Sequence, residues 1–416
     1  YAYGENSLIV VNSKDEYDQL YYLEFNDNFT EIVDSTRILE KTVEINDVFI
    51  KNGIVFCATY GEGMYVLNPT IFSTIDIHSK KIPRLQHLIQ DKEGTIWGNS
   101  VQNVYKIHPQ RGLSKLTFSH KLTSIIKAND KPLISLSDHG LRDINLEPFV
   151  ASDYPLKEIF YSNDSILLGF GKYDFLEVNL NLKTEKKLFS LENTETINGK
   201  FNAGTIIDTV VYLGTDIGLV QLVKGAKGKW TEIEHSAIQR YFKNRRITQL
   251  TYHKNTLFVI AEGRLFYYIN GEVNEFVFSK KSGIYVNRIM FDSNSNLFIG
   301  TNKGFWCLRS NGILHYDKRN GLLSEHVYNF LVDRDSNLWV VTGKSLEVVN
   351  YTNLQSVQSP RLFFKNTLDR PDGVSLTIAS FQYAFPEDLE LEYKLNDGPC
   401  LLYTSDAADE HSWVGV

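Results

Sequence analysis

Short apolar runs of five to seven residues recur along the chain, separated by brief polar turns. The clearest unit is Val327-Tyr-Asn-Phe-Leu-Val-Asp333, Arg-Asp-Ser-Asn, Leu338-Trp-Val-Val-Thr342, Gly-Lys-Ser, then Leu346-Glu-Val-Val-Asn350. Its neighbour is Val286–Asp292, Ser-Asn-Ser-Asn, Leu297–Thr301, Asn-Lys-Gly304, then Phe305-Trp-Cys-Leu. Runs of this length, bounded by Asn, Asp, Ser and Gly, predict strands joined by tight turns, and the 3.6-residue period of a helix is missing.

Aligned on the end of the middle strand, the copies fall at Thr59, Ser100, Ser137, Phe170, Thr215, Ala261, Thr301 and Thr342, spaced 33 to 46 residues apart. Three positions earlier stands a large apolar residue each time: Phe56, Trp97, Ile134, Leu167, Tyr212, Phe258, Phe298 and Trp339. A ninth, poorer unit precedes them, with strands at Ser7–Ser13 and Gln19–Phe25. Three or four short antiparallel strands cannot bury both faces alone, whereas radial stacking hides each sheet against the next. Horseshoe repeats are shorter, and helical repeats need a different period. The expected fold is therefore all-β, a β-propeller, with the recurrent large residue filling the gap between blades.

Seven units counted back from Asn350 place the start of a ring near Lys81. The expected domains are residues 1–80 as remnant blades of a preceding propeller and 81–355 as a seven-bladed propeller. Eight blades closing from Glu44 is the competing count. Beyond Asn350 the pattern changes: Arg361–Phe364, Val374–Tyr383 and Leu389–Leu395 read as strands of an Ig-like β-sandwich, truncated, over 360–399. Residues Cys400–Glu410 match a translated sequencing-library adapter, so 400–416 are expected to be an artefact that packs poorly.

Composition changes the picture little. Of 416 residues 43% are hydrophobic, with 23 Tyr, 25 Phe and 2 Met, a bias towards strands. A net charge of −7 argues against a nucleic-acid partner. No apolar run approaches a membrane span, and no signal peptide is visible. Of three Cys, Cys57 and Cys307 lie in apolar strand-like settings, and no disulfide framework is indicated.

Several segments resemble a known family. Gln90-Asp-Lys-Glu-Gly-Thr-Ile-Trp97, Asp333-Arg-Asp-Ser-Asn-Leu-Trp339 and Asn320-Gly-Leu-Leu-Ser-Glu-His-Val327 are similar to two-component regulator propeller repeats. Leu376–Tyr383, followed by Pro386 and Leu391-Glu-Tyr393-Lys-Leu395, resembles the opening of the triple-tyrosine domain that follows such propellers, although Leu391 stands where a Tyr is usual. The resemblance implies the periplasmic sensor region of an inner-membrane receptor in a Bacteroidota-like bacterium, relaying to a histidine kinase. It also implies a small-molecule or oligosaccharide ligand, and the full-length receptor is expected to be a homodimer.

No catalytic motif stands out: there is no Gly-x-Ser-x-Gly, His-Glu-x-x-His or P-loop. The chain is therefore read as a non-enzyme, with no cofactor and no metal, since its ten His residues show no ligand spacing. Asp333-x-Asp335-x-Asn337 and Asp292-x-Asn294-x-Asn296 imitate a calcium loop but lack its Gly and terminal Glu, so they read as hairpin turns. A carbohydrate-active lyase or glycosidase propeller and a protein-interaction propeller stay open as alternatives.

In a propeller, the loop entering each innermost strand and the turn after each middle strand emerge on one face. The candidate ligand-binding residues are accordingly Gln86, Thr248, Arg288 and His326 at entries, and Asn99, Gln102, His139, Tyr173 and Lys303 at turns. Arg245 and Arg246, from the basic run Arg240–Arg246, favour an acidic oligosaccharide.

Overall fold

The computed structural model describes residues 1–14, 17–26, 28–51, 54–60, 63–67, 73–75, 84–108, 112–128, 131–150, 154–163, 165–193, 199–225, 228–233, 235–276, 283–310, 312–318 and 322–350, and the backbone of strands 361–370, 373–381, 391–393 and 401–403. The chain divides into two compact units, one containing Ser73–Cys307 with Ser324–Thr352, the other Tyr1–Phe72 with Leu308–Leu323 and Asn353–Val416.

The larger unit consists of seven successive antiparallel sheets, numbered here as blades 1 to 7. Their innermost strands are His87–Gln90, Leu122–Ala128, Glu158–Ser162, Phe201–Ile207, Ile247–His253, Val286–Phe291 and Val327–Val332. Each inner strand neighbours the next in chain order, and that of blade 7 lies beside that of blade 1. The ring is thus closed on itself. Closure is also made at the outer edge: Ser73–Ile75 pairs antiparallel with Leu346–Val348 and forms the fourth strand of blade 7. Sequence reading had grouped those three residues with the preceding unit. Pairing the two ends of the ring within one sheet ties the circle shut without leaving that blade's third strand as an exposed edge.

The sheets form because apolar residues on both faces of the middle strands are buried where blades stack. The middle strands Ile96–Asn99, Ile166–Phe170, Thr256–Ala261 and Leu297–Thr301 are mostly buried from end to end. Apolar clusters sit between successive blades. Leu122, Ile125 and Ile134 of blade 2 meet Trp97 and Val104 of blade 1, and Leu85, Ile96 and Ile107 of blade 1 meet Trp339, Val341 and Leu346 of blade 7. The recurrent large residue is part of this filling. Trp97, Ile134, Leu167, Phe298 and Trp339 are buried, and Phe298 and Phe258 touch Phe330 and Phe291 of the following blades.

Two side-chain devices explain the recurring sequence signs. In the turn of blade 7, Asp333 Oδ1 accepts from the backbone N–H groups of Asp335 (2.9 Å) and Asn337 (2.8 Å), while Oδ2 accepts from Trp339 Nε1 at 2.7 Å. Blade 1 repeats the device, with Asp91 holding Glu93 N, Thr95 N and Trp97 Nε1. In blade 6, Asp292 binds Asn294 N and Asn296 N, and Asn296 Nδ2 supplies the remaining donor where Phe298 has none. Glycines meet the second need, close approach between blades: a Cβ on Gly214 would stand 2.4 Å from Ile247 Cγ2.

The N-terminal strands form two sheets, Ala2–Val43 and Ile45–Leu67, around Ile9, Leu20, Val48, Val55 and Cys57. Burial pushes the Cys57 thiol up to about 11. Farther on, Arg361–Arg370 pairs with Gly373–Phe381, and Leu391–Tyr393 with Leu401–Tyr403. Residues 401–403 therefore take part in a strand pair, although sequence reading placed them in the tail expected to pack poorly. The side chains of Tyr403 and Trp413, on which that expectation turns, lie outside the described residues.

Candidate functional site

Hydrogen-bond register places the start of every inner strand beside the end of its middle strand: His87 opposite Asn99, Phe201 opposite Thr215, Ile247 opposite Ala261, Val286 opposite Thr301 and Val327 opposite Thr342. Entry positions and middle turns of the ring thus share one face. At these entries the ladder slips. Register shifts fall between Leu122 and Ser124, Phe201 and Ala203, Ile247 and Gln249, Val286 and Arg288, and Val327 and Asn329. A bulge inserts one extra residue and re-aims its side chain.

Polar side chains around these bulges knit adjacent inner strands, which splay too far apart for a regular ladder. Ser124 Oγ donates to Leu156 O (2.8 Å), Asn287 Nδ2 to Val327 O (2.9 Å) and Asn329 Nδ2 to Gln86 O (3.0 Å). Gln249 makes two bonds to the backbone of Ile289, both 2.8 Å. They satisfy backbone groups that would otherwise be orphaned and tie the entries of neighbouring inner strands together.

Charged groups converge on this rim. Arg288 of blade 6 lies 3.7 Å from Glu158 of blade 3, so the pair spans the ring. Beside Glu158, Lys157 Nζ donates to Phe201 O and Asn202 Oδ1, both at 2.8 Å. Asn202 Nδ2 donates to Asp216 Oδ1 at 2.7 Å. Asp216 also lies 3.3 Å from Arg246 Nε and 3.7 Å from Lys200 Nζ. On the other flank His87 Nδ1 is 3.1 Å from Asn99 Oδ1, and Asn99 Nδ2 donates to Gln86 Oε1 at 3.3 Å. Among the described residues, Lys157, Lys200, Arg246 and Arg288 thus pair with Glu158 and Asp216, a local excess of positive charge in a chain of net charge −7.

Withdrawal from water and the nearby Arg288 hold the His87 imidazole down at about 4, so it is neutral at pH 7. Withdrawal from water also raises the Glu158 carboxyl, against the opposing pull of Arg288 and Lys157. Burial lowers the Lys157 ammonium.

The residues picked from sequence fall into several groups. Gln86, Asn99, Arg246 and Arg288 are joined through the network just described. Arg245 turns away, its guanidinium 5.0 Å from the Tyr241 ring and 5.7 Å from that of Phe266. Thr248 is satisfied within its own blade, donating to Ile260 O at 3.4 Å. Tyr173 packs against the core between blades 3 and 4, with Lys172 over its ring. Gln102 contributes a backbone oxygen to Phe118 N. Lys303 lies 3.9 Å from Glu325, and His326 is exposed with its ring 6.3 Å from that of Tyr328.

His139 meets partners that the sequence concealed. His120 Nδ1 lies 3.0 Å from Asp138 Oδ2, and His139 Nδ1 lies 3.0 Å from Asp138 Oδ1. The reading that the histidines do not cluster was drawn from linear spacing. The fold brings His120 to the 137–139 turn because Ser137 N donates to Lys121 O (2.9 Å). Lys157, Glu158, Asn202 and Asp216 were also missed, all in blades 3 and 4, where repeat spacing departs most from 40 residues.

No family model matches the sequence, and no curated protein matches it. Solved structures do. The extracellular domain of the proposed hybrid two-component system BT3049 from B. thetaiotaomicron superposes with a TM-score of 0.58 at 12% identity, over 95% of this chain and 63% of that one. The extracellular domain of the proposed hybrid system BT4673 from the same organism gives 0.55 at 16% identity, over 73% of this chain and 44% of that one. The fold is that of a β-propeller. Its chain spans less than two thirds of the length of these structures.

Proposed function

We propose that this propeller is the extracytoplasmic ligand-sensing region of a two-component receptor, and that its ligand is an acidic oligosaccharide bound at the mouth of the ring. One observation carries the reading: Lys157, Lys200, Arg246 and Arg288 outnumber the carboxylates among which they sit. A guanidinium offers paired N–H donors that match a carboxylate. Gln86, Asn99 and Asn202 add directional donors and acceptors suited to hydroxyls. Tyr328, with the Arg84 guanidinium 3.7 Å from its ring centroid, and exposed His326 supply flat rings at the edge.

Such a site recognises rather than transforms. The bulged entries and side-chain bridges fix the rim, so binding energy is not spent on ordering it. A bound anion would compete with Glu158 and Asp216 for the same cations, and this exchange is how occupancy would be passed to the blades. Relay to a histidine kinase, a periplasmic setting and a homodimeric receptor complete the proposal. The resemblance of the repeats and the fold shared with extracellular domains of two-component systems support it. Among the described residues no helix is long and apolar enough to cross a membrane.

A second reading has one observation in its favour: Glu158, its carboxyl raised by withdrawal from water, has the character of an acid catalyst. A thermal-shift screen of neutral and uronate-bearing oligosaccharides, with products followed by mass spectrometry, separates the two. Stabilisation by charged fragments without turnover supports sensing; cleavage abolished by Glu158→Gln supports an enzyme. Stabilisation by neutral fragments alone contradicts the anionic site.

A further inference from the structure

Blade 2 carries a second cluster on the ring's entry face. Asp138 and His139 occupy the turn between Lys131–Leu136 and Gly140–Asp143, and His120 lies just ahead of the inner strand Leu122–Ala128. Both imidazoles present Nδ1 to the same carboxylate, one to each oxygen, at 3.0 Å. The rings stand 4.1 Å apart between centroids. One ligand atom from each residue lies within 4.8 Å of the others, and among the described residues no other group of three His, Cys, Asp or Glu does this.

The two imidazole contacts differ in kind. His120 Nδ1 and Asp138 Oδ2 have hydrogen-bond geometry. His139 Nδ1 does not: it is shielded from solvent and has no hydrogen-bond partner, although a carboxylate oxygen lies 3.0 Å away. Protonated, that nitrogen pairs with the carboxylate; deprotonated, its lone pair and the carboxylate oxygen face a point that a cation can share. The backbone holds them there, since Ser137 N donates to Lys121 O at 2.9 Å and Arg142 Nε to His139 O at 3.0 Å.

We propose that His120, Asp138 and His139 form a zinc site. Two imidazole nitrogens and one carboxylate oxygen are the borderline ligands that Zn²⁺ prefers over Ca²⁺ or Mg²⁺, which take oxygen. Three protein ligands leave a fourth tetrahedral position, and all three side chains are partly exposed, so that position opens to solvent. It suits a water or the carboxylate of a ligand. The site stands apart from the Arg288–Glu158 network and does not depend on the sensing role.

Zinc alone is the probe. Tag-free, chelator-stripped protein is titrated with ZnCl₂ by calorimetry, and Co²⁺ absorption reports the coordination geometry. One equivalent binds at micromolar concentration, with the intense visible bands of tetrahedral cobalt. His120→Ala, His139→Ala and Asp138→Asn each weaken binding more than about tenfold while retaining wild-type circular dichroism. His235→Asn, an exposed histidine outside the cluster, binds as wild type. Failure to bind zinc at micromolar concentration overturns the proposal. So does binding that survives His120→Ala and His139→Ala, or Mg²⁺ competing equally.

Discussion

Arg288 and Glu158 lie on inner strands of blades 6 and 3, yet their charged groups stand 3.7 Å apart. Contact at that separation in a ring of seven requires both side chains to extend over the channel from opposite walls. The pair is partly withdrawn from water, so breaking it by removing one member leaves the other charge poorly compensated. Arg288→Ala is expected to lower stability by about 1–3 kcal/mol. Adding Glu158→Gln to that variant should recover part of the loss. Urea denaturation of the four proteins of the cycle measures the coupling, and strict additivity would contradict the contact.

His87 gives the site a pH dependence. Its folded-state value of about 4 lies below the ordinary value near 6.5, so between these limits the unfolded chain binds a proton that the folded chain does not. Stability from neutral His87 is intact above pH 6.5 and is lost as the pH falls towards 4, up to about 3 kcal/mol. Glu158, raised by burial, contributes the opposite slope: its folded form holds a proton longer, so stability falls as pH rises through its value. Comparing wild type with His87→Gln across pH 4–7 isolates the histidine. The difference between the two melting temperatures should change through that window; parallel curves would contradict a neutral, buried imidazole.

The Asp–Trp clasp is tested at Trp339. Phenylalanine fills most of the indole's volume but cannot donate to Asp333 Oδ2, now bonded at 2.7 Å. Trp339→Phe should cost about 0.5–1.5 kcal/mol, the net worth of one hydrogen bond, because Asn337 Nδ2 still donates to Asp333 Oδ2 at 3.0 Å. Phe298→Tyr in blade 6, where Asn296 already supplies the donor, should gain nothing from its added hydroxyl. Chemical denaturation of both variants decides this.

Gly214 is expected to tolerate no larger residue. Ile247 of the next blade occupies the space a Cβ would need, so Gly214→Val should destabilise by about 1–3 kcal/mol through overpacking. Gly271, with open space around it but a φ of +88°, should be destabilised by Val through backbone strain alone. Asn in place of each distinguishes them, because Asn accepts positive φ and would rescue only position 271.

Much of the fold was legible because one pattern repeats. The large residue three before the end of each middle strand, from Trp97 to Trp339, marks the packing between blades, and Asp91 and Asp333 mark the turns before them. Closure by Ser73–Ile75 was not legible, since three residues carry no periodic signal and pair with a strand more than 270 positions away. The site was half legible. Entry positions could be named where repeats aligned well, giving Gln86 and Arg288. Lys157 and Glu158 stand at the start of the inner strand in a blade of irregular spacing, and Arg245 could not be told from Arg246 without knowing which side chain stacks on Tyr241. His120 and Asp138 stand 18 positions apart and meet when the first two strands of blade 2 pair.

Binding of a uronate-bearing oligosaccharide, measured by calorimetry at low and moderate salt, tests the central claim most directly. Wild-type protein should bind one equivalent, and the Arg246→Ala/Arg288→Ala variant should lose at least about tenfold in affinity, with a weaker dependence on salt. Lys186→Ala, an exposed lysine on the outer strand of blade 3, should leave binding unchanged. If the double variant binds as tightly as wild type, or wild type binds only neutral sugars, the mouth of the ring is not an anion site and the account is wrong.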